Sequence, residues 1–225
     1  DNFKLVQNGN FKKREISDLL LGAKFPVRSL SKNLADLRAQ VAACEKGELE
    51  LRDLINEYGV TLVKKYTKLV NNNASEMVRN ILKSIKKGSY IYYMDDDIDN
   101  KKRKICVSVS TTKTPEKIVV DFSGTTSQTE TNFNAPQPVT RAAVLYAIRI
   151  LVGGKIPMNA GLMENVVLVL PRSTILSPTY PAAVIAGNVE TSQAVTSALL
   201  LAFGIQAASQ SCLLYTSPSP RDSSE

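Results

Sequence analysis

Residues 181–204 read PAAVIAGNVETSQAVTSALLLAFG, and the reading of the rest of the chain follows from this stretch. Ala182 to Ala186 form a short apolar run ending at Gly187, where the lack of a side chain lets the backbone bend. Beyond the bend, Val195, Ala198, Leu199 and Ala202 recur at i, i+3, i+4 and i+7, the spacing of one buried helical face, and Gly204 stands where such a helix ends. The pattern predicts a strand, a polar turn with Asn188 as N-cap, and a helix anchored along its back. Its first turn would present Asn188, Glu190 and Thr191 beside free backbone N–H groups, where the helix dipole favours an oxyanion or a phosphate. The same residues serve equally well as a cap that binds nothing.

Upstream, Asn165–Leu170 and Ser173–Leu176 read as short strands separated by Pro171, and Val139–Val152 is apolar on most sides, as in a helix enclosed by its domain. Ser89–Met94, Lys104–Ser110 and Lys117–Ser123 are rich in Ile, Val and Tyr. Ile105, Val107 and Val109 alternate with Cys106, Ser108 and Ser110, the period of a half-buried strand, so an antiparallel meander is expected. Before Gly88 the period is helical. Leu34, Leu37, Val41 and Cys44 line one side with Asn33 as cap, and Leu51, Leu54, Ile55 and Tyr58 continue the stripe to Gly59. A second arm follows over Thr61–Lys86, open to a break at Asn71–Asn73. Two such arms imply an antiparallel helical hairpin. Nearer the start, Asn8-Gly9-Asn10 marks a turn, Ile16, Leu19 and Leu20 a short helical face, and Pro26 a break.

The expected fold class is therefore α+β: a long helical hairpin followed by a mixed strand and helix domain with a buried helix. The expected divisions are a partial N-terminal segment at 1–32, the hairpin at 33–87, the α+β portion at 88–210, and a tail at 211–225. That tail, SCLLYTSPSPRDSSE, is Ser/Pro-rich and resembles translated sequencing-adaptor read-through, so it is left out of the fold reading.

At 225 residues with 44% hydrophobic content, the chain is long and apolar enough for a real core. Its formal charge is +7, but the basic residues are scattered among acids without aromatic partners, which argues against a nucleic-acid stripe. No apolar run approaches a membrane span. Three cysteines, Cys44, Cys106 and Cys212, have no CxxC spacing, which argues against a disulfide or zinc framework and suits a reducing, cytoplasmic setting. The first residue is Asp1 rather than methionine, so a targeting segment would lie outside the sequence.

There is no histidine, which removes Ser-His-Asp and Cys-His catalysis and imidazole-bound zinc from this chain. No P-loop occurs, since Gly153-Gly154-Lys155 lacks its spacing and hydroxyl. Asp95, Asp97 and Asp99 copy the first half of a calcium loop, but Cys106 stands where its bidentate Glu belongs, so a solvated strand turn is expected. Asn73-Ala74-Ser75 spells a glycosylation sequon inside a helical pattern. In Asp121–Pro136, Gly124, Thr125 and Thr126 follow a strand and Asn132 and Asn134 supply amide donors and acceptors, facing either a ligand or their own loop. Asn159 to Gly161 form a further polar bend. Three such bends are what a cleft for a small polar ring requires, if they converge.

Four blocks carry a resemblance, in order: NLADLRAQVAACEKG (33–47), DFSGTTSQTETNFNAP (121–136), IPMNAG (156–161) and PAAVIAGNVETSQ (181–193). Together they resemble the hydantoinase B/5-oxoprolinase family. The resemblance implies an internal fragment of the B subunit, or B-type half, of an ATP-dependent cyclic-amide hydrolase that opens hydantoin or 5-oxoproline rings. It implies a hetero-oligomer in which a hydantoinase A-type partner handles ATP, and a divalent metal held by a histidine-containing segment upstream of Asp1. The fragment alone would then be inactive. ATP is needed because an unstrained lactam keeps its amide resonance, and phosphorylating the amide oxygen makes a better electrophile. On this implication Asn132, Asn134, Asn159 and Asn188 bind the ring, Glu190 orients or deprotonates water, and Thr191 faces the phosphate or oxyanion. Two alternatives stand beside it: a fragment similar to the acetone carboxylase large subunit, and a non-catalytic assembly module. Resequencing the source DNA should replace residues 211–225; the same codons in an independent clone would refute the adaptor reading.

Overall fold

Apolar residues change texture at Gly88, from stripes at helical spacing to period-two alternation, and the elements change with them. The computed structural model describes residues 3–113, 116–154 and 156–205, and the chain divides into two compact units between residues 66 and 67. Residues 211–225, read above as a tail, lie outside the described residues. No helix among those described is long and apolar enough to cross a membrane.

In the first unit, Val6–Gln7 (β1) and Asn10–Phe11 (β2) pair antiparallel around Asn8 and Gly9, both at positive φ, as the Asn-Gly signal predicts. Lys13–Leu21 (α1) packs on Leu30–Tyr58 (α2). Helix α2 begins ahead of the expected cap, Asn33, and runs through Gly47 to stop at Gly59, whose φ is 81°. Val60–Ile81 (α3) follows at once and continues through Asn71–Asn73 without a break. Of the stripe expected to be buried in a hairpin, Leu34 is buried and Leu37, Val41 and Ile55 are half-buried, but Leu51, Leu54, Tyr58, Leu62 and Tyr66 are exposed. Its polar side carries the i,i+4 ion pairs Lys46–Glu50 and Arg52–Glu48, exposed contacts that contribute only about 0.3–0.5 kcal/mol each.

The second unit starts within α3, whose Ala74, Ser75 and Val78, with Leu82 beyond the helix, are buried in its core. Gly88–Asp96 (β3), Lys101–Lys113 (β4) and Glu116–Asp121 (β5) form the antiparallel meander that the alternation predicts. Gln137–Val152 (α4) and the single turn Gly161–Glu164 (α5) come next, and Val166–Val169 (β6) then joins β5 in parallel to complete the order β3-β4-β5-β6. A parallel neighbour needs a crossover, and residues 122–165 supply it. Glu190–Ala202 (α6) lies on β3 and β4 with α4 packed against it. Thr140, Ala143, Val144, Ala147 and Ile148 make one buried face of α4, whereas Tyr146 and Ile150 are exposed. Helix α6, between α4 and the sheet, is the more enclosed of the two, and Val195, Ala198, Leu199 and Ala202 are all buried as their spacing predicts. At its end the Gly204 N–H donates to Leu201 and the Ile205 N–H to Leu200, with Gly204 at φ 74°, a Schellman closure.

Two expected strands are absent. Ala182–Ala186 forms no strand but irregular chain that turns at Ile185 into the 3-10 turn Ala186–Asn188, and Ser173–Leu176 holds only the isolated bridges Ser127↔Thr174 and Thr174↔Ser177. Both segments satisfy backbone groups through a neighbouring loop instead of a ladder. At the other end of α6, a Cβ on Gly88 would lie 1.9 Å from the Ala202 carbonyl oxygen, too close for any side chain. Gly88→Ala should therefore lower unfolding stability by about 1–3 kcal/mol; an unchanged urea midpoint would show that β3 and α6 are not in this contact.

Candidate functional site

After β5 the chain continues along β4, but with threonine hydroxyls in place of ladder groups. Thr125 Oγ1 accepts from the Cys106 N–H at 3.1 Å and donates to the Cys106 carbonyl at 3.2 Å. Thr126 Oγ1 accepts from the Lys104 N–H at 2.8 Å, and the Thr126 N–H donates to the Lys104 carbonyl. Of the two readings left open for Gly124–Thr126, the structure supports self-satisfaction: these groups bind β4. On the loop's other flank, Ile175 donates to Thr126, Gln128 donates to Ser173, and Gln128 Oε1 accepts from both the N–H and the hydroxyl of Thr179.

Asn134 is fully buried and its carboxamide is saturated. Oδ1 accepts from the Thr129 N–H at 2.9 Å, while the two protons of Nδ2 are shared among the carbonyls of Thr129, Thr131 and Ala183 at 3.0, 3.0 and 2.8 Å. The last bond spans 49 residues and brings the Asp121–Pro136 block onto the Pro181–Gln193 block. Backbone contacts complete the junction. Ala186 donates to the Asn132 carbonyl at 3.0 Å, and Gly187 packs so closely that a Cβ there would lie 2.1 Å from the Asn134 carbonyl oxygen. Thr191, buried in the first turn of α6, donates its hydroxyl to the Phe133 carbonyl at 2.5 Å.

Asn188 is not the N-cap. Val189 takes that position with no side-chain capping bond, and the Asn188 carbonyl accepts from Ser192 Oγ at 2.8 Å. The Asn188 side chain is exposed, and among the described residues neither it nor Glu190 has a hydrogen-bond or ion-pair partner. Asn132 is half-buried, and its Oδ1 is buried without a donor, a condition that costs about 1–3 kcal/mol. Of the six residues singled out from the sequence, Asn132, Asn134 and Thr191 bond across this junction, and Asn188 and Glu190 adjoin it in the chain, next to Gly187 and Thr191. Asn159 does not bond there: its Oδ1 accepts from the Gly161 N–H, and its Nδ2 donates to Val70 of α3 and to Pro157.

The residues missed are Asp96 and Arg103. The aspartate-rich turn was expected to be solvated, yet the Asp96 side chain is 0% exposed and that of Arg103 8%. Arg103 Nε and Nη2 donate to Asp96 Oδ2 at 2.8 and 2.7 Å, and Nη2 also bonds Asp99. Thr131 Oγ1 donates to Asp96 Oδ2 at 2.5 Å, which ties the ion pair to the Asn134 loop. The signal was present in the alternation. Arg103 shares parity with Ile105, Val107 and Val109, and Asp96 with Tyr92 and Met94, so both point at the core.

Among the described residues no group of three or more His, Cys, Asp or Glu side chains is placed to hold a metal ion. No chemical step is assigned here through a metal or a nucleotide phosphate.

Two sequence blocks locked together at the first turn of a buried helix, on a four-stranded mixed sheet, define an α+β domain. The Hydantoinase B/oxoprolinase family model matches residues 1–224, and the chain belongs to that family. It is 36% identical over 230 residues to 5-oxoprolinase 1 of Arabidopsis thaliana, covering 94% of this chain but only 18% of the plant protein. The ATP-dependent caprolactamase from Pseudomonas jessenii aligns with a TM-score of 0.67 at 22% identity, over 92% of this chain and 35% of that one. A nucleotide-free acetone carboxylase aligns at 0.64 and 16%, over 89% and 28%. At those identities the two structures establish the shared fold.

Burial alone pushes the Asp96 carboxyl up, but hydrogen bonds from Thr131 and Arg103, the Arg103 charge and the Ile98 N–H outweigh it and hold the group below its ordinary 3.8. A carboxylate depressed in the folded state adds stability above its unfolded pKa and loses it as pH falls through the folded value. The stability gap between wild type and Asp96→Asn should thus be widest near neutral pH and narrow below about pH 4 in urea unfolding. A gap unchanged into acid would mean that Asp96 is not an ionised partner.

Proposed function

We propose that this chain is part of an ATP-dependent cyclic-amide hydrolase of the hydantoinase B/oxoprolinase type, acting on 5-oxoproline or hydantoin rings, and that the Asn132–Thr191 junction forms one wall of its substrate site. The observation that carries the reading is the junction itself. Two family-like blocks are pinned together by the Asn134–Ala183 bond across 49 residues, while Asn132 Oδ1, the Asn188 amide and the Glu190 carboxylate are left without partners among the described residues. The names of the plant 5-oxoprolinase and the caprolactamase support the cyclic-amide class.

In this reading Asn188 binds a ring carbonyl and Glu190 directs water to the activated ring carbon, while Asn132, its Oδ1 buried, forms part of the wall. Thr191 and Asn134, whose polar atoms are committed to backbone, hold the wall in shape. Asn159 takes no part. ATP use, a divalent metal, an A-type partner and assembly into a hetero-oligomer belong to the same proposal, and the groups that handle nucleotide and metal lie outside these residues. The cytoplasm is the proposed setting.

A ketone-carboxylating relative is the second reading, favoured by the acetone carboxylase fold. A third, an assembly module, is favoured by the exposed stripe from Leu51 to Tyr66. Turnover of 5-oxoproline, hydantoin and acetone, measured in parallel on the complete enzyme with its partner, separates them. Glu190→Ala should lower ATP-dependent ring opening by about 10²-fold or more, and Asn188→Ala by about tenfold, with partner binding intact. Undiminished turnover in both variants would remove the junction from the site.

A further inference from the structure

Water direction by Glu190 requires the first turn of α6 to be held still, and the side chains that hold it lead away from the junction to a charge pair on the sheet. Thr131 fixes the direction of that path. Beside Arg103 the Asp96 carboxylate can only accept, so the Thr131 hydroxyl gives its one proton to Asp96 Oδ2. At the 2.8 Å contact between Thr129 and Thr131, Thr131 must then accept and Thr129 donate. The backbone of these two threonines closes on the Asn134 carboxamide from both sides, which leaves the Nδ2 direction toward Ala183 no freedom to rotate. From Ala183 the chain reaches Asn188 and Glu190 through a turn seated on the Asn134 and Ala135 backbone.

We infer that the buried Asp96–Arg103 pair, acting through Thr131 and Asn134, is a positioning device for Asn188 and Glu190; the inference rests on the reading of the junction as a substrate wall. A packed apolar pair at 96 and 103 could stabilise the fold as well as the ion pair does. It could not accept the Thr131 proton, so the loop would lose its side-chain tie to the sheet and the Thr129–Thr131 hydroxyl contact its fixed sense.

The test uses the complete enzyme with its partner and ATP. Thr131→Val keeps the side-chain volume and removes the hydroxyl, and kcat for ring opening should fall about tenfold with KM changed less than about twofold. Thr131→Ser, which restores the hydroxyl, should return kcat to near wild type. Thr131→Val combined with Glu190→Ala should be no slower than Glu190→Ala alone, because a misplaced carboxylate and a missing one cost the same step. Wild-type kcat in Thr131→Val, equal loss in the Ser and Val variants, or full additivity with Glu190→Ala overturns the inference while Glu190→Ala still reports on the wall. If Glu190→Ala alone is fully active, the wall reading fails and the inference with it. Should Thr131→Val not fold, Thr129→Val removes the next hydroxyl and leaves the ion pair intact, and the same comparison decides.

Discussion

The second unit depends on one carboxamide. Between β5 and α4 the chain leaves the sheet and passes through the interior, where each backbone N–H and C=O without a partner costs about 1–3 kcal/mol. No ladder is available to residues 129–134, so a side chain must replace it. Asn134 does so because an amide offers a donor and an acceptor in one plane, matching a peptide group. Its four bonds close the loop on itself and fasten it to Ala183. Leucine at the same position would fill the volume and leave those backbone groups stranded.

From that fixed loop the placement of α6 follows. The helix is held at both ends by contacts that only glycine allows. Gly187, just before it, lies against the Asn134 and Ala135 backbone, and Gly88 of β3 lies against the carbonyl of Ala202 in its last turn. Thr191 adds a hydrogen bond to Phe133 inside the first turn. A helix seated this way has little freedom to slide along its axis. Residues projecting from its first turn therefore inherit the precision of the core rather than the looseness of a surface loop.

Periodicity made much of this legible in advance. The i, i+3, i+4, i+7 spacing of Val195, Ala198, Leu199 and Ala202 identifies α6 and its buried face, and the alternation around Val107 identifies the meander. Where periodicity was weak, the reading went astray. Ala182–Ala186 is apolar and short, which suits a strand, but its backbone partners are an Asn side chain and a loop carbonyl that no local pattern reveals. The stripe from Leu51 to Tyr66 was legible as a stripe. What lies against it was not, because amphipathic spacing says that a face is apolar and nothing about its neighbour. The meeting of Thr191 with the Phe133 carbonyl was likewise out of reach, since it is a tertiary contact across 58 residues of chain.

Asp96 and Arg103 show how composition can hide a burial signal that parity exposes. Three consecutive aspartates beside a run of lysines look like a solvated turn, and Asp95 and Asp97 are indeed exposed. Counting by twos from Ile105 puts Arg103 on the core side, and counting by twos from Met94 puts Asp96 there as well. A charge on a core parity demands an opposite charge within reach, and the hairpin supplies it. The pair also selects one hydrogen-bond direction through Thr131 and Thr129, which a neutral pair would leave undetermined. The Thr131 hydroxyl thereby ties the loop that Asn134 closes to the sheet, and the shape of the junction between the two blocks is anchored at that side as well as at Ala183.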